Sequence, residues 1–596
     1  MSPSAAFSRR TALKGAALGA VAAAVPWRSF DAEAAAAPAR NGVFGYGVAS
    51  GDPLNSRVVI WTRATPSPDA VPGSGLGAPL QVTWQVATDP GFATVVRTGK
   101  VTTSPASDHT VKVDVPGLRP YTRYWYRFLA GGQTSPTGLT QTAPDDTTVT
   151  HALRFGLVSC SNYTGGYFGP YRALAERHDL DFVLHVGDYI YEYGNGSDRY
   201  GPPELAGTRD GQPATETIDL AGYRLRHALH KADPDLAKCH RRLPFITIFD
   251  DHEVANNTWA TGAENHQPDT EGDFLTRRAQ AYQAYMEWMP FRLPDQSVPH
   301  QGTQFFRRFR FGNLADLTVV ETRQNRSEQV DVPPFSTSGG GFIPTGIPTV
   351  DAALADPSRH LPEPEQMQWI KDGLGARRPW HLIGNQVILT PVRIPGPLLG
   401  APNGLTLLNS DQWDGYQADQ AELITAMAKQ PTGRGDTVVL TGDIHSSWAM
   451  DIPTDISATT YTSAGVEFVC PSVTSDGFYE IFRGAAPAGT PPEAVVASTQ
   501  AAATVLTSTN RWVKYLDGIS HGFTVVDVTP ARVQADWYHT PTPSSAQPDP
   551  RVDPSVVPTY KVSWQTLAGS RRVTSAPRKL GPRADQAAGP QPSFTD

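Results

Sequence analysis

Cysteine is scarce: Cys160, Cys239 and Cys470 are the only three among 596 residues. So few exclude a disulfide-built scaffold, and an odd number leaves at least one thiol unpaired. Positive charge is not in surplus either. The formal net charge is −8 and no basic stripe is visible, so nucleic acid is excluded as a partner. An anionic substrate is not excluded, because bound cations reverse the local field. There is no internal repeat and no apolar run long enough to cross a membrane. What is present is a hydrophobic fraction of 39% against 18% charged, enough to bury sizeable cores in more than one domain.

The first 37 residues read as an address label. Ser8-Arg9-Arg10-Thr11-Ala12-Leu13-Lys14 is a twin-arginine sequence, followed by a weakly apolar run at 16–25 and small residues at 34–37. Such a signal implies export after folding through the twin-arginine machinery, no transmembrane anchor, and a secreted destination, extracellular or in the wall or periplasm. That route suits a protein that loads a metal before leaving the cytoplasm. The leader carries two surplus positive charges, which puts the remainder near −10.

Residues 42–145 read as a β-sandwich. Arg57 to Thr62 and Leu80 to Val86 alternate as strands, and Leu118-x-Pro-x-Thr-x-Tyr124 resembles the fibronectin type III stretch whose tyrosine caps a sandwich corner. From 151 to about 540 the pattern becomes apolar strands alternating with helices, the latter expected over 219–240, 275–289, 363–374 and 411–429. This is an α/β, layered α/β/α arrangement. Three Gly/Pro-rich insertions, 194–217, 330–358 and 395–410, read as rim loops or as disordered segments. Residues 541–596 form a C-terminal extension whose end, from 576, reads as a solvated tail.

The chemistry gathers where apolar runs end. Gly187-Asp188-Tyr189-Ile190-Tyr191-Glu192 places a carboxylate at a strand end and a phenol three residues on, over one helical turn. Phe249-Asp250-Asp251-His252-Glu253 puts two adjacent acids beside a histidine, and adjacent acids repel unless a cation holds them. Thr441-Gly442-Asp443-Ile444-His445 releases an acid and an imidazole at i and i+2, expected to point the same way. Each cluster alone has a bland reading as a polar turn; three in series at strand ends do not.

Their order resembles the calcineurin-like metallophosphoesterase superfamily. The departures from its usual pattern are systematic. Ser159-Cys160-Ser161-Asn162 stands where DxH is usual, Asp251 where Asn is usual, Gly384-Asn385-Gln386-Val387 replaces the histidine strand, and Asp443 replaces the first His of the last motif. With the leader and the sandwich, these departures resemble the PhoD-type alkaline phosphatases over roughly residues 40–540. The resemblance implies a metallophosphoesterase core with two metal sets. Cys160, Asp188, Tyr191 and His445 combine thiolate, carboxylate, phenolate and imidazole, which fits iron. Asp188, Asp251, Asn385 and Asp443 offer only oxygen, which favours Ca²⁺ or Mg²⁺ over zinc. The family implies Fe(III) and Ca²⁺.

The expected activity is hydrolysis of phosphate mono- and diesters by a metal-activated hydroxide. His252 is the expected general acid, with Glu253 orienting it or a metal ligand, and Asn162 and Arg323 are further catalytic candidates. Arg323 reads either as a bidentate phosphate clamp or as a surface ion pair. Substrates range over monoesters, diesters, phospholipid and wall polymer. The alternatives are a secreted phospholipase D-like phosphodiesterase, an exported zinc hydrolase and a non-catalytic wall-binding protein.

Overall fold

The computed structural model describes residues 42–583, apart from 198, 293–303, 334, 337–339 and 376–377. The leader therefore lies outside the described residues. Two sheets carry the catalytic part. In the first, Leu153–Val158, Phe182–His185 and Phe245–Thr247 run parallel. Gly522–Thr529, Arg532–His539, Thr559–Leu567 and Val573–Ser575 extend that sheet antiparallel on the other side. In the second, Ala315–Val319, Trp380–Gly384, Asp436–Thr441 and Ser463–Val469 run parallel.

Strand periodicity divides the side chains between cores. Phe182, Leu184, Leu382, Val438 and Leu440 meet between the two sheets. Their chain neighbours turn outward. Val183 joins the cluster under helices Gly169–Ala175, Leu220–Ala232 and Phe274–Trp288. Ile383 and Val439 join the cluster under Pro364–Leu374 and Gln417–Ala428. Strands buried on both faces lose the polar alternation of a half-exposed sheet. The α/β layering expected from sequence is present, with a β layer two sheets deep.

The helix expected over 219–240 is two, Leu220–Ala232 and Pro234–Arg242. Pro234 cannot continue the first helix, and the Asp233 side chain accepts from the N–H groups of Asp235 and Leu236 to start the second. The later insertions are ordered enough to build a small sheet of Phe342–Pro344, Thr406–Asn409 and Ile394–Pro395. The tail expected to be solvated is tied down in its described part: Arg583 is buried and pairs with Asp181 at 2.6 Å.

The N-terminal part is a β-sandwich. Val58, Ile60, Val111 and Val115 of one sheet pack on Val82, Val86, Tyr126 and Phe128 of the other. Tyr124 Oη accepts from the Arg119 N–H at 2.8 Å, which is the corner bond anticipated from the sequence. One sandwich sheet is continuous with the catalytic sheet, because Gly51 of Val48–Gly51 pairs in parallel with Phe245.

Candidate metal centre

Four of the expected donors sit on left-handed backbone: Cys160 at φ 60°, Asp188 at 55°, Asp443 at 60° and His445 at 54°. Such conformations cost non-glycine residues on the order of 1 kcal/mol each and persist only where surroundings impose them. Each follows a buried strand, and the reversal swings the side chain over the strand end. The glycines of the motifs make room. A Cβ on Gly187 would lie 2.4 Å from Asp250 Cβ, and one on Gly442 would lie 2.5 Å from Ser159 Oγ.

The turns bring together residues far apart in sequence. Tyr191 Oη donates to Asp188 Oδ2 at 2.7 Å, and His445 Nε2 lies 3.3 Å from Tyr191 Oη and 4.0 Å from Asp188 Oδ2. Ligand atoms of Cys160, Asp188 and His445 lie within 4.8 Å of one another, and so do those of Asp188, Asp251 and His252, and of Asp250, Asp251 and Asp443. All seven are buried. Asp188 thus belongs to two of the three groups. The strand alternation invoked for Asp443 and His445 does not extend to them. The strand ends at Thr441, and the two residues face different groups.

The acids are under-compensated. Asp188 Oδ1, Asp250 Oδ2 and Asp251 Oδ1 are buried without any hydrogen-bond partner. Burial, with repulsion from Asp251, pushes Asp188 up to about 6. Burial, with Asp188 beside it, also holds the Cys160 thiol well above its usual range. Each of these features is what a cation would relieve.

His252 stands against this cluster with its ring 4.1 Å from that of Tyr191. Its Nδ1 meets Glu192 Oε2 at 2.7 Å. Burial works against its charge, but Glu192, then Asp188 and Asp251, outweigh it and raise His252 to about 10. The partner is Glu192, and of the two roles expected of Glu253, orienting His252 or a metal ligand, the geometry fits the second. Glu253 accepts from the backbone N–H groups of Tyr189 and Asp250 at 2.6 and 2.8 Å, and so clamps the Asp188 turn.

Three expected site residues also have structural tasks. Arg323 is fully buried, which removes the surface-pair reading. Its Nε, Nη1 and Nη2 donate to Asp250, Asp411 and Asp443 at 2.6, 2.7 and 2.6 Å, so it is an internal counter-charge rather than a free phosphate clamp. Asn162 caps the turn Tyr163–Gly165 through Oδ1 and spends its amide on Tyr200 O at 2.5 Å. Asn385 lies just past Trp380–Gly384, where its Oδ1 accepts from Trp413 Nε1 at 3.3 Å and its amide serves Val387 O and Thr441 Oγ1.

Sequence reasoning missed Asp250, Asp411, Glu192 and Tyr200. The first and third lay inside motifs already singled out. Tyr200 belongs to the first insertion and places its hydroxyl 3.4 Å from His445 Nδ1, which makes that insertion part of the rim.

A family model described as PhoD-like phosphatase matches residues 155–537, and one described as its N-terminal domain matches 31–144. Alkaline phosphatase D of Bacillus subtilis (strain 168) is 36% identical over 443 residues, covering 73% of this chain and 70% of that protein. A solved structure titled "Structure of PhoD" superposes with a TM-score of 0.75 at 30% identity, covering 91% of this chain and 94% of that one.

Proposed function

The chain belongs to the PhoD-like phosphatase family and is a phosphoester hydrolase, and from that premise we propose that it is an exported phosphatase and phosphodiesterase with a mixed iron–calcium centre. The supporting observation is the trio of orphaned carboxylate oxygens on Asp188, Asp250 and Asp251, buried beside a thiol, a phenol and an imidazole. In this reading Cys160, Asp188, Tyr191 and His445 hold Fe(III), and Asp188, Asp251, Asn385 and Asp443 hold Ca²⁺. A carbonyl oxygen has two lone pairs, so the Trp413 bond to Asn385 leaves one for a cation. When bound, the ions supply Lewis acidity that makes a nucleophile of water and neutralises phosphoryl charge.

The protein's own groups do the rest. Asp250 and Asp411 hold Arg323, and Arg323 holds Asp443 in place. Glu192 fixes His252 through Nδ1 and keeps it protonated, which leaves Nε2 to give its proton to the departing alkoxide. Such general-acid help contributes on the order of 10²–10⁴-fold. The donor set sets aside a purely adhesive wall protein.

Export by the twin-arginine route and the division into leader, sandwich (42–145), catalytic part (151–540) and extension (541–596) belong to the same proposal. No helix of the described residues is long and apolar enough to cross a membrane. One observation favours the phospholipid alternative. Ile481 and Val505 are exposed, at 38% each, on the helices Phe478–Ala485 and Pro492–Thr509, the first of which starts just past Asp476, whose carbonyl meets His445 Nδ1.

Three measurements test the reading. Metal analysis and a visible tyrosinate-to-iron band test the iron; a colourless, iron-free, fully active enzyme refutes it. A calcium chelator that leaves turnover unchanged refutes the second ion. Side-by-side assays of a phosphomonoester, a phosphodiester and phosphatidylcholine rank the substrates.

A further inference from the structure

The C-terminal extension reaches the metal centre from behind, through a single arginine. The segment 472–477 backs onto the Cys160 and His445 side of the cluster. Thr474 N and Ser475 Oγ both donate to Cys160 O, at 3.3 and 3.1 Å. Thr474 Oγ1 donates to Asn162 O at 2.6 Å. Asp476 O lies 2.6 Å from His445 Nδ1. A carbonyl can only accept, so Nδ1 carries the proton and the lone pair of Nε2 faces Tyr191 and Asp188. One short loop thus fixes both the Cys160 turn and the ring and tautomer of His445.

This loop has little regular structure of its own, so something must hold it. Main-chain bonds hold its start, from Val473 N to Ser159 O at 2.9 Å and from Gly522 N to Ser472 O at 3.0 Å, and Arg551 holds its middle from the turn Pro550–Val552. Its Nη1 donates to Thr474 O at 2.8 Å and to Asp476 Oδ1 at 2.6 Å. Its Nε and Nη2 are seated on Asp549 at 3.0 and 2.7 Å. Glu480 closes the cradle, 3.6 Å from Arg551 Nη2, while its other oxygen accepts from Gly477 N at 2.8 Å. The Arg551 side chain is 2% exposed, so these bonds are shielded from water. Arg551 also lies beyond residue 537, where the family match ends.

We propose that Arg551 is a positioning residue of the metal centre, which through the 472–477 loop sets the His445 ring and the Cys160 turn for the ion they share. The proposal rests on the reading that Cys160 and His445 are ligands. Arg551 touches neither the ion nor the substrate. Partners of this kind typically carry 10–100-fold in metal affinity or activity.

The test compares two buried arginines of the same extension. Arg571 holds Asp436 at 3.0 Å, at the start of Asp436–Thr441, the end of that strand away from Asp443. Arg551→Lys and Arg571→Lys are each purified as metal-loaded full chain. Thermal unfolding, the rate of metal loss to a chelator, and kcat and KM are measured. Both substitutions lower Tm. Arg551→Lys alone is expected to speed metal loss ~10-fold or more and to lower kcat with little change in KM. Equal metal retention in the two folded variants overturns the proposal.

Asp549→Asn, which loosens the guanidinium without deleting it, carries the same comparison if Arg551→Lys does not fold. It too must shed metal faster than Arg571→Lys. A wild-type enzyme loaded with an ion other than iron would refute the iron assignment and leave this comparison readable. A fully active enzyme that binds no metal would overturn both.

Discussion

At the seam between the sandwich and the catalytic helices, buried acids meet arginines in pairs; at the strand ends they outnumber them. Arg63 pairs with Asp108, Arg224 with Glu287 and Arg307 with Asp52, at 3.1, 2.8 and 3.0 Å. Every carboxylate oxygen there is used. Asp108 also accepts from Gly73 N and Trp288 Nε1, and Asp52 from Arg292 N. At the centre, four acids (Asp250, Asp251, Asp411, Asp443) share Arg323 and Arg326, Asp188 pairs with neither arginine, and one oxygen each of Asp188, Asp250 and Asp251 has no hydrogen-bond partner. Both regions are equally dry, so burial does not distinguish them. The balance of charge does: a satisfied seam stabilises one structure, whereas an unsatisfied cluster stays stable only by taking up cations.

Substitutions can sharpen or break this contrast. The largest effect is expected from Asp188→Asn, which removes the carboxylate common to two of the donor groups. Turnover should fall on the order of 10³-fold with loss of bound metal, while Asp108→Asn at the seam leaves turnover per folded molecule intact. Steady-state assays with metal analysis read both, and retained metal in Asp188→Asn would break the contrast.

Next, Arg63→Met should cost about 3–5 kcal/mol of stability, because Asp108 is left buried without its cation. Denaturant unfolding measures it, and a loss near zero would mean the seam is not held by charge. The opposite sign is expected at the centre. In metal-free protein, Asp250→Asn should gain about 1 kcal/mol by removing one repelling charge. A Tm that falls would show the cluster to be satisfied as it stands.

The smallest effect concerns Lys112, whose ammonium donates to Met286 O at the seam. Burial lowers it to about 8 from the ordinary 10.5. Between those values the unfolded chain binds more protons than the folded one, so stability rises with pH across that window. The slope should be ~1 kcal/mol per pH unit or less, and Lys112→Met should flatten it. Unfolding curves at pH 8, 9 and 10 in both proteins decide this.

The sequence showed where the chemistry collects because each motif ends an apolar run, and a buried strand that stops in Gly-Asp is visible without a structure. It did not show which acid faces where. Asp250 and Asp251 are neighbours, and only the backbone turn sends one to Arg323 Nε and the other to Asn257 N. Glu253 was expected to orient either its neighbour His252 or a metal ligand; it clamps the Asp188 turn, and the partner of His252 arrives from 60 residues away. Asn162 looked like a catalytic candidate because its local task, capping the next turn, is invisible without the backbone. The second β layer was hidden for a related reason. A strand apolar on both faces reports that it is buried, not which sheet it joins. Arg551 carried no signal at all, since an arginine in an irregular stretch has no period to mark its partner.

The parallel pairing of Gly51 with Phe245 joins the sandwich and the catalytic strands into one hydrogen-bonded fabric. A module attached this way cannot swing like a hinged lid without breaking main-chain bonds. Substrate must therefore come and go past the rim insertions, and the two halves are expected to melt together as one cooperative unit.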